Sequence, residues 1–150
     1  MEDIGRQLAG WLTDAAKRES RSLGAAAVLC PTNRVARRVE RILSPHLRTA
    51  PPGPGGFDPD APGVKILTMH SAKGLEFPVV AVVGVEDRFL PWPAPSVSDH
   101  DEHLAKQQRL LFVACSRAAR HLAVFASNRS PSAFLPLFYD DHWETRHIGG

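Results

Sequence analysis

Cysteine and tyrosine are scarce in this chain of 150 residues, which holds two of the first and one of the second. Cys30 and Cys115 show no CxxC or other metal-ligand spacing. That excludes a disulfide framework or a zinc site and points to reduced core thiols, as in a cytoplasmic protein. Long apolar runs are missing too. No stretch reaches the roughly 18 to 20 residues needed to cross a bilayer, so no membrane is expected as a partner. The opening MEDIGRQLAGWL has acids at its front and no long apolar run, so no secretory signal is read there. A phosphate loop is also lacking. APPGPGGFDPDAPG (50–63) is rich in glycine, but no Gly-Lys-Ser/Thr follows it to hold a phosphate and Mg²⁺. Neither sign of charge dominates. A net charge of +2 permits nucleic acid as a partner without arguing for it.

What is present suits one domain. An apolar fraction of 43% and a charged fraction of 23% are those of a globular protein with a real core. Ile4, Leu8, Trp11, Leu12 and Ala15 recur at helical spacing, so an amphipathic helix is expected from about Asp3 to Arg21. Ala25 to Cys30 has the length of a strand. Thr32 is placed to cap a second helix whose stripe is Val35, Val39, Ile42, Leu43 and Leu47. Arg34, Arg37, Arg38 and Arg41 fall largely off that stripe, on either a solvated face or a phosphate-facing edge. Residues 50–63 read as a loop. Val64–Thr68 and Val79–Val83 are nearly continuous apolar runs, as expected for parallel strands covered on both faces. Pro91, Pro93 and Pro95 keep 86–103 irregular. Leu104–Arg120 reads as a helix with a deeply packed middle, LLFVAC. HLAVFAS follows as the last core strand, and SPSAFLPLF as a short terminal helix or hook. The order predicts an α/β layered domain with a mainly parallel sheet.

TMHSAKGLEF, Thr68 to Phe77, asks more of a connection than turning requires. Ligands of open parallel sheets collect at the carboxyl ends of strands, and this segment is expected at such an end. Thr68 and Ser71 offer hydroxyls, His70 a ring donor, Lys73 a cation, and Gly74 close backbone approach; these suit the phosphates of a nucleic-acid backbone. Glu76 would repel phosphates but could accept from ribose hydroxyls. The plainer alternative is that Lys73 and Glu76 pair with each other. In RLLFVACSRAARHLAVFAS, Arg117 follows the apolar core of the expected helix and is flanked by small Ala118 and Ala119. It is either a cation able to reach across an interface to a γ-phosphate or an ordinary arginine at a helix end. HDEH (100–103) is read as a solvated acidic first turn rather than a metal site.

Together these stretches resemble the C-terminal motor domain of UvrD/Rep/PcrA-type superfamily 1 DNA helicases. VKILTMHSAKGLEFPVVAVVGVED is similar to that family's motif V and its following strand, RFLP to the next aromatic-proline element, and RLLFVACSRAARHLAVFAS to motif VI. AAAVLCPTNRVARRVERIL resembles the strand and helix that re-enter the domain. The likeness implies a RecA-like domain without its own phosphate loop over 25–138, preceded by an N-terminal amphipathic helix (1–24) and followed by a tail (139–150). It implies that Arg117 is an arginine finger for ATP and Mg²⁺ held at an interface with an N-terminal motor domain. It further implies that Glu76 and Gly74 serve the nucleotide, and that Thr68, His70, Ser71 and Lys73 lie along single-stranded DNA. Alone, the chain is then expected to hold neither cofactor, to hydrolyse no ATP at a useful rate and to unwind no DNA.

Two departures from the family pattern stand out. Ser116 replaces a threonine, and Lys106 and Gln107 stand where acids usually precede motif VI, a role that Asp101 and Glu102 could take. A remnant that only binds nucleic acid is the alternative reading. A third is an interaction domain with Trp11, Trp92 and Trp143 as its surface.

Overall fold

The computed structural model describes residues 2–52, 54–93 and 96–148. Alanine, valine, leucine and cysteine in an unbroken run can bury both faces of a strand, and β1 (Ala26–Cys30) is buried at every position. It lies at the centre of a five-stranded sheet ordered β2 (Thr49–Ala50), β3 (Val64–Thr68), β1, β4 (Phe77–Val85) and β5 (Ala118–Ala126). All four pairings are parallel. The expected α/β architecture is therefore present, with a fully parallel ladder inside it.

Two layers cover the sheet. On one face α1 (Glu2–Arg18) and α2 (Asn33–Leu43) bury Leu8, Leu12, Val35, Val39 and Leu43 against Val28, Ile66 and Ala81. Thr32 caps α2 as expected, its hydroxyl accepting from the Val35 amide at 3.2 Å. On the other face α3 (His100–Cys115) lays Leu111 and Ala114 over Leu29, Val80 and Val82, joined by Phe134 and Phe138 of the terminal hook. Each face buries several large side chains at roughly 1.5–3 kcal/mol apiece, so both helical layers are held by area rather than by polar contacts.

Several features differ from expectation. α3 spans His100–Cys115 rather than 104–120, because the acids of HDEH favour the helix's positive first turn. Its alanine-rich continuation joins β5 instead: pairing with β4 outweighs the helical propensity of Ala118 and Ala119. The middle of α3 is not packed all round, since Leu111 and Ala114 are fully buried while Phe112 is 48% exposed. β4 is longer than 79–83. Pro78 lies inside it, at the point where the register with β5 shifts between Phe77 and Val79, so its missing N–H interrupts no regular ladder. β2 was not expected; only two residues long, it carries no apolar run, and it is held by pairing to Val64 and Lys65.

The three tryptophans are half-buried. Trp11 packs edge-on to Phe125 at 6.3 Å, and Trp143 to Phe138 at 4.8 Å. Ile4, Phe112, Leu137, Tyr139 and Ile148 are the exposed large apolar side chains among the described residues.

Candidate functional site

The connection from β3 to β4 must carry the chain from the carboxyl end of one parallel strand to the amino end of another. Thr68 lies beside Cys30, the last residue of β1, whereas Val79 lies beside Ala26, its first. At roughly 3.3 Å per strand residue, the start of TMHSAKGLEF and Glu76 stand on the order of 20 Å apart. Expectation had put the whole segment at a carboxyl end. It is instead a crossover over the sheet face, with Met69 and Ala72 buried beneath it and His70, Ser71, Lys73, Gly74 and Glu76 exposed. The spacing follows from that route: the apolar residues anchor the crossover, and those between them face solvent. Gly74 adopts φ +82°, and an added Cβ would meet nothing within 4 Å. It is required for backbone conformation, not for close packing.

At the carboxyl end, the Met69 amide donates to Cys30 O at 2.8 Å, fastening the crossover to β1. The Thr68 hydroxyl donates to Ser71 Oγ at 2.8 Å and accepts from the Ser71 amide at 3.1 Å. Thr68 thus shapes the turn, and the outward hydroxyl is that of Ser71. The His70 ring lies 6.5 Å from that of Trp92, tilted by 49°. Trp92 is fastened to α3 through its backbone: its amide donates to Gln107 Oε1 at 2.7 Å, and its carbonyl is engaged by Gln107 Nε2 at 3.2 Å and His103 Nε2 at 2.8 Å. Sequence reasoning missed this group. Gln107 is 1% exposed, and an uncharged amide where acids were expected is what lets it serve as both donor and acceptor inside the core. The uncharged residue at 107 was the available signal.

At the amino end Arg117 sits in the two-residue turn between α3 and β5, not on the helix. Its guanidinium donates from Nε to Val113 O at 3.1 Å, from one terminal nitrogen to Leu75 O at 3.3 Å, and from the other to Ser116 Oγ at 3.0 Å. Its own carbonyl accepts from the Phe77 amide at 2.9 Å. Arg117 therefore joins both neighbours of Glu76 and ties the end of the crossover to the end of α3. A guanidinium has five N–H donors; three are used on neutral oxygens, leaving one on each terminal nitrogen. Among the described residues no carboxylate lies within ion-pair distance of Arg117, and Lys73 and Glu76 do not pair with each other. Ser116 keeps its hydroxyl engaged, donating to Val113 O at 2.7 Å.

The two cysteines lie near these edges, Cys30 at the end of β1 and Cys115 at the end of α3. Burial pushes the Cys30 thiol up to about 12 and Cys115 up to about 11, which keeps both neutral. Lys65, 1% exposed, is lowered by burial while Asp58 and Asp60 act against that shift. Its ammonium donates to Gly24 O at 3.1 Å, to Ala61 O, and to Gly63 O at 3.4 Å. Among the described residues no three of His, Cys, Asp or Glu gather as metal ligands, and no helix is long and apolar enough to cross a membrane.

Both edges lie within a stretch that this chain shares with a known family. Residues 56–129 match the UvrD-like helicase C-terminal domain. ATP-dependent DNA helicase PcrA of Staphylococcus epidermidis RP62A is 40% identical over 89 residues, 53% of this chain and 12% of that protein. PcrA of Staphylococcus aureus Mu50 is 40% identical over 62 residues, 41% of this chain and 8% of that protein. The chain thus matches only a small part of these relatives' length. Among solved structures, the C-terminal domain of a possible DNA helicase from Lactobacillus plantarum WCFS1 superposes with a TM-score of 0.64. That match covers 90% of this chain and 73% of that one at 22% identity, a likeness of fold. Residues 56–129 are thus similar in sequence to a UvrD-like helicase C-terminal domain, and the chain shares the fold of a solved helicase C-terminal domain.

Proposed function

We propose that this chain is the second motor domain of an ATP-dependent DNA helicase, completed by an N-terminal motor domain that supplies the phosphate loop. Arg117 acts as the arginine finger on the γ-phosphate, and Glu76 accepts from the nucleotide's ribose. His70, Ser71 and Lys73 touch the backbone of single-stranded DNA, with Thr68 holding their turn. ATP and Mg²⁺ occupy the interface between the two motor domains, not this chain alone. The observation that carries this reading is the bracket around Glu76: Arg117 bonds to both its neighbours while keeping one unused N–H donor on each terminal nitrogen. Two donors suit bidentate contact with phosphate oxygens. The crossover supports coupling as well, since one segment is hydrogen-bonded to β1 at the carboxyl edge and to Arg117 at the amino edge.

Stabilising charge on a transferring phosphoryl group is worth roughly 10³ to 10⁵ in rate, or about 4 to 7 kcal/mol of barrier. The test mixes this chain with the phosphate-loop half of a PcrA-type helicase and measures ATP hydrolysis with and without single-stranded DNA. DNA-stimulated turnover that Arg117→Ala abolishes is expected; stimulation that survives Arg117→Ala refutes the assignment.

A further inference from the structure

The formal charge of this chain is concentrated on one helix. α2 carries Arg34, Arg37, Arg38 and Arg41 against Glu40 alone, a surplus of three, so the rest of a chain whose total is +2 is slightly acidic. All four arginines are exposed. Glu40 lines the cleft beside Arg37 and Arg41 but forms no ion pair with either. Its Oε1 accepts from Thr49 Oγ1 at 2.7 Å, and its Oε2 is buried. Among the described residues no carboxylate lies within ion-pair distance of Arg34, Arg37 or Arg41. Two clefts flank the helix and share Arg34 and Arg41; Arg38 and Phe89 also line one, and Arg37, Glu40 and Pro51 are among those that line the other. The basic stripe is thus two rows wide and, from residue 34 to 41, about 10 Å long at 1.5 Å per residue.

Its direction matters. β1 ends at Cys30, where the crossover is fastened, and α2 begins two residues past Pro31. Arg34, in the first turn of α2, therefore stands at the same edge of the sheet as Thr68, His70 and Ser71. From there the stripe runs back over the opposite face of the domain from the crossover.

We infer that the outer face of α2 is a second nucleic-acid contact, tracking the phosphates of a strand that continues past the His70 edge. This rests on the proposed DNA contact at that edge for its direction, but not for its charge. Three exposed arginines in a row fix a backbone in place and read no sequence. The stripe lengthens the site instead of sharpening it, so it is engaged only by strands long enough to leave the crossover.

The test is salt-dependent binding of the full chain to a six-nucleotide and a twenty-nucleotide single strand, and to poly-L-glutamate of matched charge. The variants are Arg34→Gln/Arg37→Gln/Arg41→Gln together, and separately His70→Ala/Ser71→Ala. Since all substituted arginines are exposed, folding should be unaffected, which circular dichroism checks. Each phosphate contact on a single strand contributes about 0.7 to the slope of log affinity against log salt. The triple variant should therefore lower the slope for the long strand by about 2 and leave the short strand unchanged. An unchanged long-strand slope, with binding still lost in His70→Ala/Ser71→Ala, overturns the stripe and spares the edge. Loss in the triple variant alone supports the stripe and overturns the edge. Equal, arginine-dependent binding of poly-L-glutamate overturns the assignment to nucleic acid.

Discussion

Adding a single methyl at residue 84 tests whether the junction between β4 and the start of α2 is as tight as the structure shows. Gly84 adopts φ +78°, and an ideal Cβ there would lie 2.8 Å from Pro31 Cδ, 2.9 Å from Pro31 Cγ and 3.2 Å from Val35 Cγ1. The left-handed conformation costs an L-residue roughly 1–2 kcal/mol. A proline ring cannot swing aside as a long side chain would, so overpacking adds about 1–3 kcal/mol. Gly84→Ala should thus lose about 2–5 kcal/mol, a large part of a typical stability of roughly 5–15 kcal/mol. Gly74→Ala is the control, with nearly the same φ but open space around it, so only the conformational part applies. In urea denaturation, with a slope of about 1–3 kcal/mol per molar, Gly84→Ala should move the midpoint down by about 1–2 M, and Gly74→Ala by less than half as much. A Gly84→Ala midpoint matching wild type, or a larger shift in Gly74→Ala, would refute the reasoning.

The remaining expectations concern buried polar groups. Gln107→Leu orphans the Trp92 amide and leaves its carbonyl to His103 alone; it should cost about 1–3 kcal/mol and shift tryptophan fluorescence to the red. Lys65→Met should destabilise by a similar amount, about 1–3 kcal/mol, by orphaning the carbonyls of Gly24, Ala61 and Gly63, and hydrogen exchange in 58–63 should quicken. Because burial raises Cys30 to about 12, the stability it contributes is complete below its unfolded value near 9 and is lost as pH rises through 12. Wild type should therefore lose more stability between pH 8 and pH 10.5 than Cys30→Ala, by up to about 1.4 kcal/mol per pH unit, measured by urea midpoints.

The strands buried on both faces were legible because apolar continuity alone determines them: β1 and β3 lie within a residue of expectation. The Thr32 cap was legible for the same reason, being local chemistry. What could not be read was anything decided by a distant partner. Ala118 and Ala119 are good helix formers, yet they pair with β4, and nothing in RAARH announces that neighbour. β2 exists only through Val64 and Lys65. In the candidate site, the residue types were legible but their division between two edges was not. That division depends on β1 standing between β3 and β4, a matter of topology rather than of spacing. Trp92 beside His70 was hidden likewise, because Gln107, fifteen residues further on, holds it there.

The central claim is that Arg117 meets a triphosphate held by another motor domain, and one measurement reaches it directly. Titrate this chain against the phosphate-loop half of a PcrA-type helicase, bound first to ADP and then to ADP–aluminium fluoride, and compare affinities for wild type and Arg117→Lys. The account predicts at least tenfold tighter association in the aluminium fluoride state for wild type, and none of that gain for Arg117→Lys, which lacks the planar fork. Equal affinity of the wild-type chain for both nucleotide states would contradict it.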